Sequence, residues 1–159
     1  MIEPDERLTL ARTLWAEARG EDFDKSTPEH DGMEDVAAVI CNRVKLARVY
    51  MAKRSRRHPL FGDGSFLDCC MRPMQFSCWN MNDPNRPKLL ALTADSPDTA
   101  FQTALRIADR ALAGALTDRT GGATHYLTEA CYKAAPDDHW SKTQPPLAKR
   151  GRHVFFRGV

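Results

Sequence analysis

Leu8, Leu10, Ala11, Leu14, Trp15 and Ala18 recur at the spacing of one helix face, so the chain is expected to open with an apolar helix. Gly20 follows, where a left-handed cap ends such a helix. Asp22 to His30 is polar, contains Pro28 and reads as a loop. Asp31 with Glu34 resembles a capping box and starts a second helix. Its apolar stripe is Val36, Val39, Ile40 and Val44, continuing through Leu46, Ala47 and Tyr50. Pro59, Gly62 and Gly64 break the pattern, and Phe66 to Met71 suits a short helix before Pro73. From Cys78 to Pro97 the density of Asn, Asp and Pro predicts turns rather than regular structure. Ser96-Pro97-Asp98 then offers an N-cap, a first-position proline and an acidic first turn. The third long helix buries Ala100, Phe101, Ala104, Leu105, Ala108, Ala111 and Leu112 and stops at Gly114. Thr124 to Thr128 and His153 to Phe156 are short, aromatic, β-prone runs that can pair as a small sheet.

A length of 159 residues suits one catalytic domain, residues 1–159, with a core that needs no disulfides. With 42% hydrophobic and 28% charged residues the composition is that of a soluble globular protein, and no run is long enough for stable membrane insertion. The net charge of +2 does not demand a nucleic-acid partner. Basic residues still cluster at Lys53-Arg54-Ser55-Arg56-Arg57 and at Lys149-Arg150-Gly151-Arg152, where a solvated face is the default. Five cysteines, Cys41, Cys69, Cys70, Cys78 and Cys131, lack paired Cys-x-x-Cys spacing and read as reduced thiols. The acidic N-terminus Met-Ile-Glu-Pro-Asp-Glu-Arg is unlike a secretory signal, which places synthesis in the cytoplasm, and a monomer is expected.

Glu17 lies at the border of the first helix's apolar stripe and close to the helix end. Partial desolvation and the negative end of the helix dipole both oppose its anion, so the residue is suited to donating a proton near neutral pH. Elsewhere, polar and aromatic residues gather in Gln75-Phe76-Ser77-Cys78-Trp79-Asn80, in Gly121-Gly122-Ala123-Thr124-His125-Tyr126 and in His139-Trp140. Amides and hydroxyls bond to sugar hydroxyls and acetamido groups, while an aromatic face covers the apolar side of a pyranose. Phe76, Trp79 and Tyr126 also suit a core taken one at a time.

Four segments in order carry a resemblance: Leu10 to Glu21, with Trp-Ala-Glu-Ala-Arg-Gly-Glu at its end; Val36 to Val44; Gln75 to Asn80; and Gly121 to Tyr126. Together with Gly151 to Phe156 they resemble the SleB-like cell-wall hydrolases, a family of spore-cortex-lytic enzymes and phage or prophage endolysins. The resemblance implies an α+β, lysozyme-like fold, mainly helical with a small antiparallel β-sheet. It also implies cleavage of peptidoglycan glycan strands, usually as a lytic transglycosylase, with Glu17 as the catalytic acid. The chain departs from the family pattern in the longer connection after Glu21 and in the basic stretch from Lys45 to His58, which bear on substrate positioning more than on chemistry.

On this reading Glu17 protonates the bond between N-acetylmuramic acid and N-acetylglucosamine and then, as a base, helps close a 1,6-anhydro ring. Gln75, Ser77, Thr124 and Tyr126 are candidates to orient the sugar, Trp79 and Trp140 to stack on it, and His125 and His153 to bond to it or to the protein. Asn42 is a candidate to hold the backbone of the Glu17 loop. Glu21, Asp22 or Asp24 would instead activate water in a muramidase. A zinc amidase or peptidase using His30, His125, His139, His153 or a cysteine as ligands lacks any compact ligand spacing, so no metal and no cofactor is assigned. A non-catalytic wall-binding module is the remaining alternative. An endolysin would accumulate in the host cytoplasm and reach peptidoglycan after release to the periplasm or cell wall.

Overall fold

The computed structural model describes residues 5–19 and 31–158. Gly20, Glu21, Asp22, Asp24, Pro28 and His30 lie outside the described residues, as does the side chain of Asp31. Helix α1 spans Glu6–Ala18 and packs most extensively on α5, Thr99–Leu112, with α2, Asp31–Arg54, and α3, Phe66–Met71, against its other sides. Asp5 caps α1 by accepting from the amides of Arg7 and Leu8 at 2.8 and 3.2 Å, an arrangement that stabilises a helix by about 1 kcal/mol. Leu10, Leu14, Met33, Val36, Ile40, Phe101 and Leu105 fill the space between the three long helices, each 2% exposed or less. The apolar stripes read from the sequence are thus the faces that meet.

The second layer is a three-stranded antiparallel sheet ordered β1-β3-β2, with β1 at His125–Thr128, β2 at Ala148–Arg150 and β3 at His153–Phe156. All four residues of the central β3 are buried. Tyr126 of β1 lies opposite Phe155, and Arg150 of β2 opposite His153. The mainly helical α+β architecture with a small antiparallel sheet matches the expectation from the sequence.

Several local readings are corrected. Arg86–Ala91 forms a short helix α4 within the turn-rich region, because Pro87 is tolerated in a first turn and Leu89 is buried against the core. Asp98, not Ser96, caps α5 by accepting from the Phe101 amide at 2.8 Å; the Ser96 hydroxyl instead accepts from the Thr93 amide. Leu46 and Leu112 are 40% and 37% exposed: Leu46 points away from the face that buries Val44 and Ala47, and Leu112 is the last residue of α5. Helix α6, Glu129–Ala134, buries no side chain; its Thr128 cap and its Glu129–Lys133 ion pair at 2.9 Å leave no apolar period to read. The Lys149-Arg150 cluster is paired rather than merely solvated: Lys149 meets Glu129 at 2.7 Å and Arg150 meets the buried Asp35 at 2.8 Å. All five cysteines are free thiols, as the sequence implied.

Candidate active site

Glu17 stands in the last turn of α1, where that helix meets the sheet. Its Oε2 accepts a hydrogen bond from the Tyr126 hydroxyl at 2.9 Å. Burial raises its pKa above the ordinary carboxylate value; the Tyr126 bond, then His153 and Arg43, pull it back, and Asp83 pushes it up. Tyr126 is itself held well above the usual phenol value by burial and by Glu17, so it remains a protonated donor. The same carboxyl helps raise the neighbouring Cys78 thiol to about 12, although burial is the larger cause. A half-buried carboxyl disfavoured as an anion, yet in contact with a donor and near a guanidinium, is equipped to give up a proton and accept it back.

Two adjacent side chains of α2 position Tyr126. Asn42 Nδ2 donates to the Ala123 carbonyl at 2.9 Å and Arg43 Nε donates to the Thr124 carbonyl at 2.7 Å, which fixes the two residues leading into β1. Asn42 also donates to Asp118 at 3.0 Å, and Asp118 accepts from the amides of Thr120 and Gly122. Gly121 and Gly122 have φ of 74° and 84°, left-handed values that explain the glycine pair ahead of the strand. Asn42 Nδ2 is thus engaged on the approach to β1; the loop after Glu17, where an Asn42 contact was expected, lies outside the described residues.

The other candidates divide. Trp79 is partly buried, and its indole Nε1 donates to Thr13 Oγ1 at 3.0 Å, so one edge is anchored in α1. Trp140 lies 5.4 Å from the His125 ring, 5.3 Å from His139 and 5.2 Å from Phe156, at the far end of β1. The Thr124 hydroxyl contacts His125 Nδ1 at 3.0 Å and donates to the Arg157 carbonyl, so it serves the chain rather than facing open solvent. Burial and Arg43 lower the His125 pKa to about 4, leaving a neutral imidazole at neutral pH. His153 is buried 4.9 Å from the Tyr126 ring. Gln75 is half-buried and Ser77 exposed, both next to the one-turn 3₁₀ helix Ser77–Trp79 that brings Cys78 towards Glu17. Among the described residues no group of three His, Cys, Asp or Glu side chains is placed to hold a metal ion.

Arg43 escaped the sequence reading. It is 5% exposed, and its guanidinium lies 5.2 Å from the Phe61 ring and 5.3 Å from the Phe76 ring. Its signal was present: an arginine three residues after Ile40 and four before Ala47, inside the buried stripe of an apolar helix.

The catalytic domain of the germination-specific lytic transglycosylase SleB from Bacillus anthracis has a similar structure, with a TM-score of 0.59 and 23% identity over 97% of this chain and 95% of that one. At that identity the likeness concerns the fold, which is the lysozyme-like one expected. No curated protein matches the chain. A family model described as cell wall hydrolase matches residues 28–156, a span that begins after Glu17 and takes in Arg43, Tyr126 and the sheet. With most of its length inside that match, the chain belongs to the cell wall hydrolase family.

Proposed function

We propose that this protein is a single-domain peptidoglycan lytic transglycosylase that cuts the glycan strand between N-acetylmuramic acid and N-acetylglucosamine. The observation that carries the reading is the Glu17 carboxyl, its pKa raised by burial, with Tyr126 bonded to it. Membership of the cell wall hydrolases and the fold shared with a lytic transglycosylase domain support the substrate.

Glu17 gives its proton to the glycosidic oxygen as the bond from the muramyl C1 breaks, and the departing N-acetylglucosamine leaves with a hydroxyl. Positive charge spreads over C1 and the ring oxygen. The Glu17 carboxylate, stabilised by the Tyr126 hydroxyl, takes the proton of the muramyl C6 hydroxyl while its oxygen bonds to C1. The 1,6-anhydro ring closes and Glu17 regains its proton, with no water consumed. Gln75, Ser77, Trp79, Trp140 and His125 are proposed to line the path of the glycan on either side, with Thr124 behind them holding the chain.

As an endolysin the monomer would collect in the host cytoplasm and meet peptidoglycan after release through membrane lesions. The deciding experiment is mass spectrometry of glycan termini made by the purified protein. Anhydromuramyl ends are expected; reducing muramyl ends alone would replace the transglycosylase with a muramidase.

A further inference from the structure

We propose that Arg43 is a positioning residue of this site: from α2 it holds the lead-in to β1 so that Tyr126 reaches Glu17, and it keeps a fixed positive charge in the neighbourhood of the carboxyl. The inference rests on Glu17 being the acid, and it adds a residue whose work is done through Glu17 and Tyr126.

Three observations carry it. The Arg43 Nε bond to the Thr124 carbonyl, at 2.7 Å, lies two residues before Tyr126. The guanidinium is clamped between Phe61 and Phe76, a setting that fixes its plane. Its Nη1 is buried and has no hydrogen-bond partner among the described residues. A purely structural arginine at 5% exposure would be expected to satisfy that nitrogen, because an unpaired buried donor costs roughly 1–3 kcal/mol. Among the described residues no carboxylate forms an ion pair with the group, and its field extends to Tyr126 and Glu17.

The remaining described groups around Glu17 differ from it in kind. Tyr126 of β1 is a neutral donor, and His153 of β3, 4.9 Å from the Tyr126 ring, also favours the Glu17 anion but holds no bond to the lead-in of β1 among the contacts described. Cys78 is a neutral thiol, while Asp83 opposes the Glu17 anion. From α5, Asp98 is engaged with Trp15 Nε1 and the Phe101 amide. From α3, Cys69 and Cys70 are buried thiols beside Arg43. Helix α4 carries Arg86 and Lys88. A charge fixed by the fold stabilises the Glu17 carboxylate in the interval between giving and regaining a proton, without reorganisation.

The test is a carboxyl-carbon NMR titration of Glu17, its resonance assigned with Glu17→Gln, in the wild type, Arg43→Gln and Arg43→Lys. Arg43→Gln is expected to raise the midpoint to roughly tenfold tighter proton binding and to move the alkaline limb of kcat/KM upward with it. Arg43→Lys keeps the charge but not the Nε bond to Thr124; a misplaced Tyr126 is expected to raise the midpoint less than Arg43→Gln does and to lower kcat about tenfold at similar KM. An unchanged midpoint in folded Arg43→Gln overturns the electrostatic part, and wild-type kcat in Arg43→Lys overturns the positioning part. Should the Gln variant not fold, a Lys variant with wild-type midpoint and wild-type kcat overturns the proposal. The titration reads Glu17 whether or not it is the acid, so an active Glu17→Gln protein would remove the transglycosylase reading and leave the coupling measured.

Discussion

The Tyr126 hydroxyl donates to Glu17 Oε2 across 2.9 Å, joining positions 109 residues apart and tying the sheet to the end of α1. The bond favours the Glu17 anion, while burial favours the acid, and burial is the stronger. Tyr126→Phe removes the weaker influence and keeps the ring. Glu17 should then hold its proton to higher pH, so the alkaline limb of kcat/KM moves up. The base half of the reaction loses its donor, and kcat should fall by about tenfold, the worth of one hydrogen bond to a charged group. A profile superimposable on the wild type would leave the tyrosine a packing role only.

Glu17→Gln keeps the size and an acceptor for Tyr126 but has no transferable proton. Turnover should drop by roughly 100- to 10,000-fold, with binding to insoluble peptidoglycan retained; equal lysis would end the assignment. Stability supplies a second sign. The Glu17 pKa is raised in the folded state, so its contribution to stability is present below the unfolded carboxylate value and is lost as pH rises through the folded one. The Gln variant should therefore melt above the wild type at pH 8, and the gap should narrow as the pH falls towards 4, as followed by circular dichroism.

What the sequence made legible follows its periodicity. Helices α1, α2 and α5 each repeat an apolar face, and Phe66–Met71 sits between breakers, so all four were readable. Helix α6 and strand β2 were not, because neither buries an apolar face: α6 rests on a cap and an ion pair, and Ala148–Arg150 joins the sheet through its backbone. At the site, Glu17 stood out by position and Tyr126 by motif, but their contact is long-range and no local pattern encodes it. Arg43 could have been read as a charge on a buried stripe. The anchoring of Thr124 between His125 and Arg157, by contrast, depends on where the chain returns after β3.

Asp35 offers a test of the sheet's attachment away from the chemistry. Its carboxylate, 4% exposed, pairs with Arg150 at 2.8 Å and so ties β2 to α2; β2 in turn pairs with β3, which carries His153. Asp35→Ala leaves that guanidinium without this partner. The cost should be about 2 kcal/mol, below that of fully buried pairs because Arg150 keeps some contact with water. Thermal melting should show a Tm lower by roughly 6 °C. An unchanged Tm would mean that this ion pair does not hold the strand in place.

The basic end of α2 is the surface best suited to an anionic envelope polymer. Arg54 and Arg56 gather over Tyr50, at 5.7 and 5.8 Å, and Arg57 reaches Asp68 only at 3.9 Å. Lys53 and these three arginines are exposed, so their field extends into solvent, where ions screen it within about 10 Å at 0.1 M salt. Replacing all four with Gln should weaken sedimentation with intact cell walls several-fold at low salt and leave it nearly unchanged at high salt. Cleavage of short soluble glycan fragments should be unaffected, because the change removes attraction to the wall and not the groups around Glu17. If wall binding by the fourfold variant keeps the wild-type dependence on salt, the cluster is a solvated face and attachment depends on the glycan path itself.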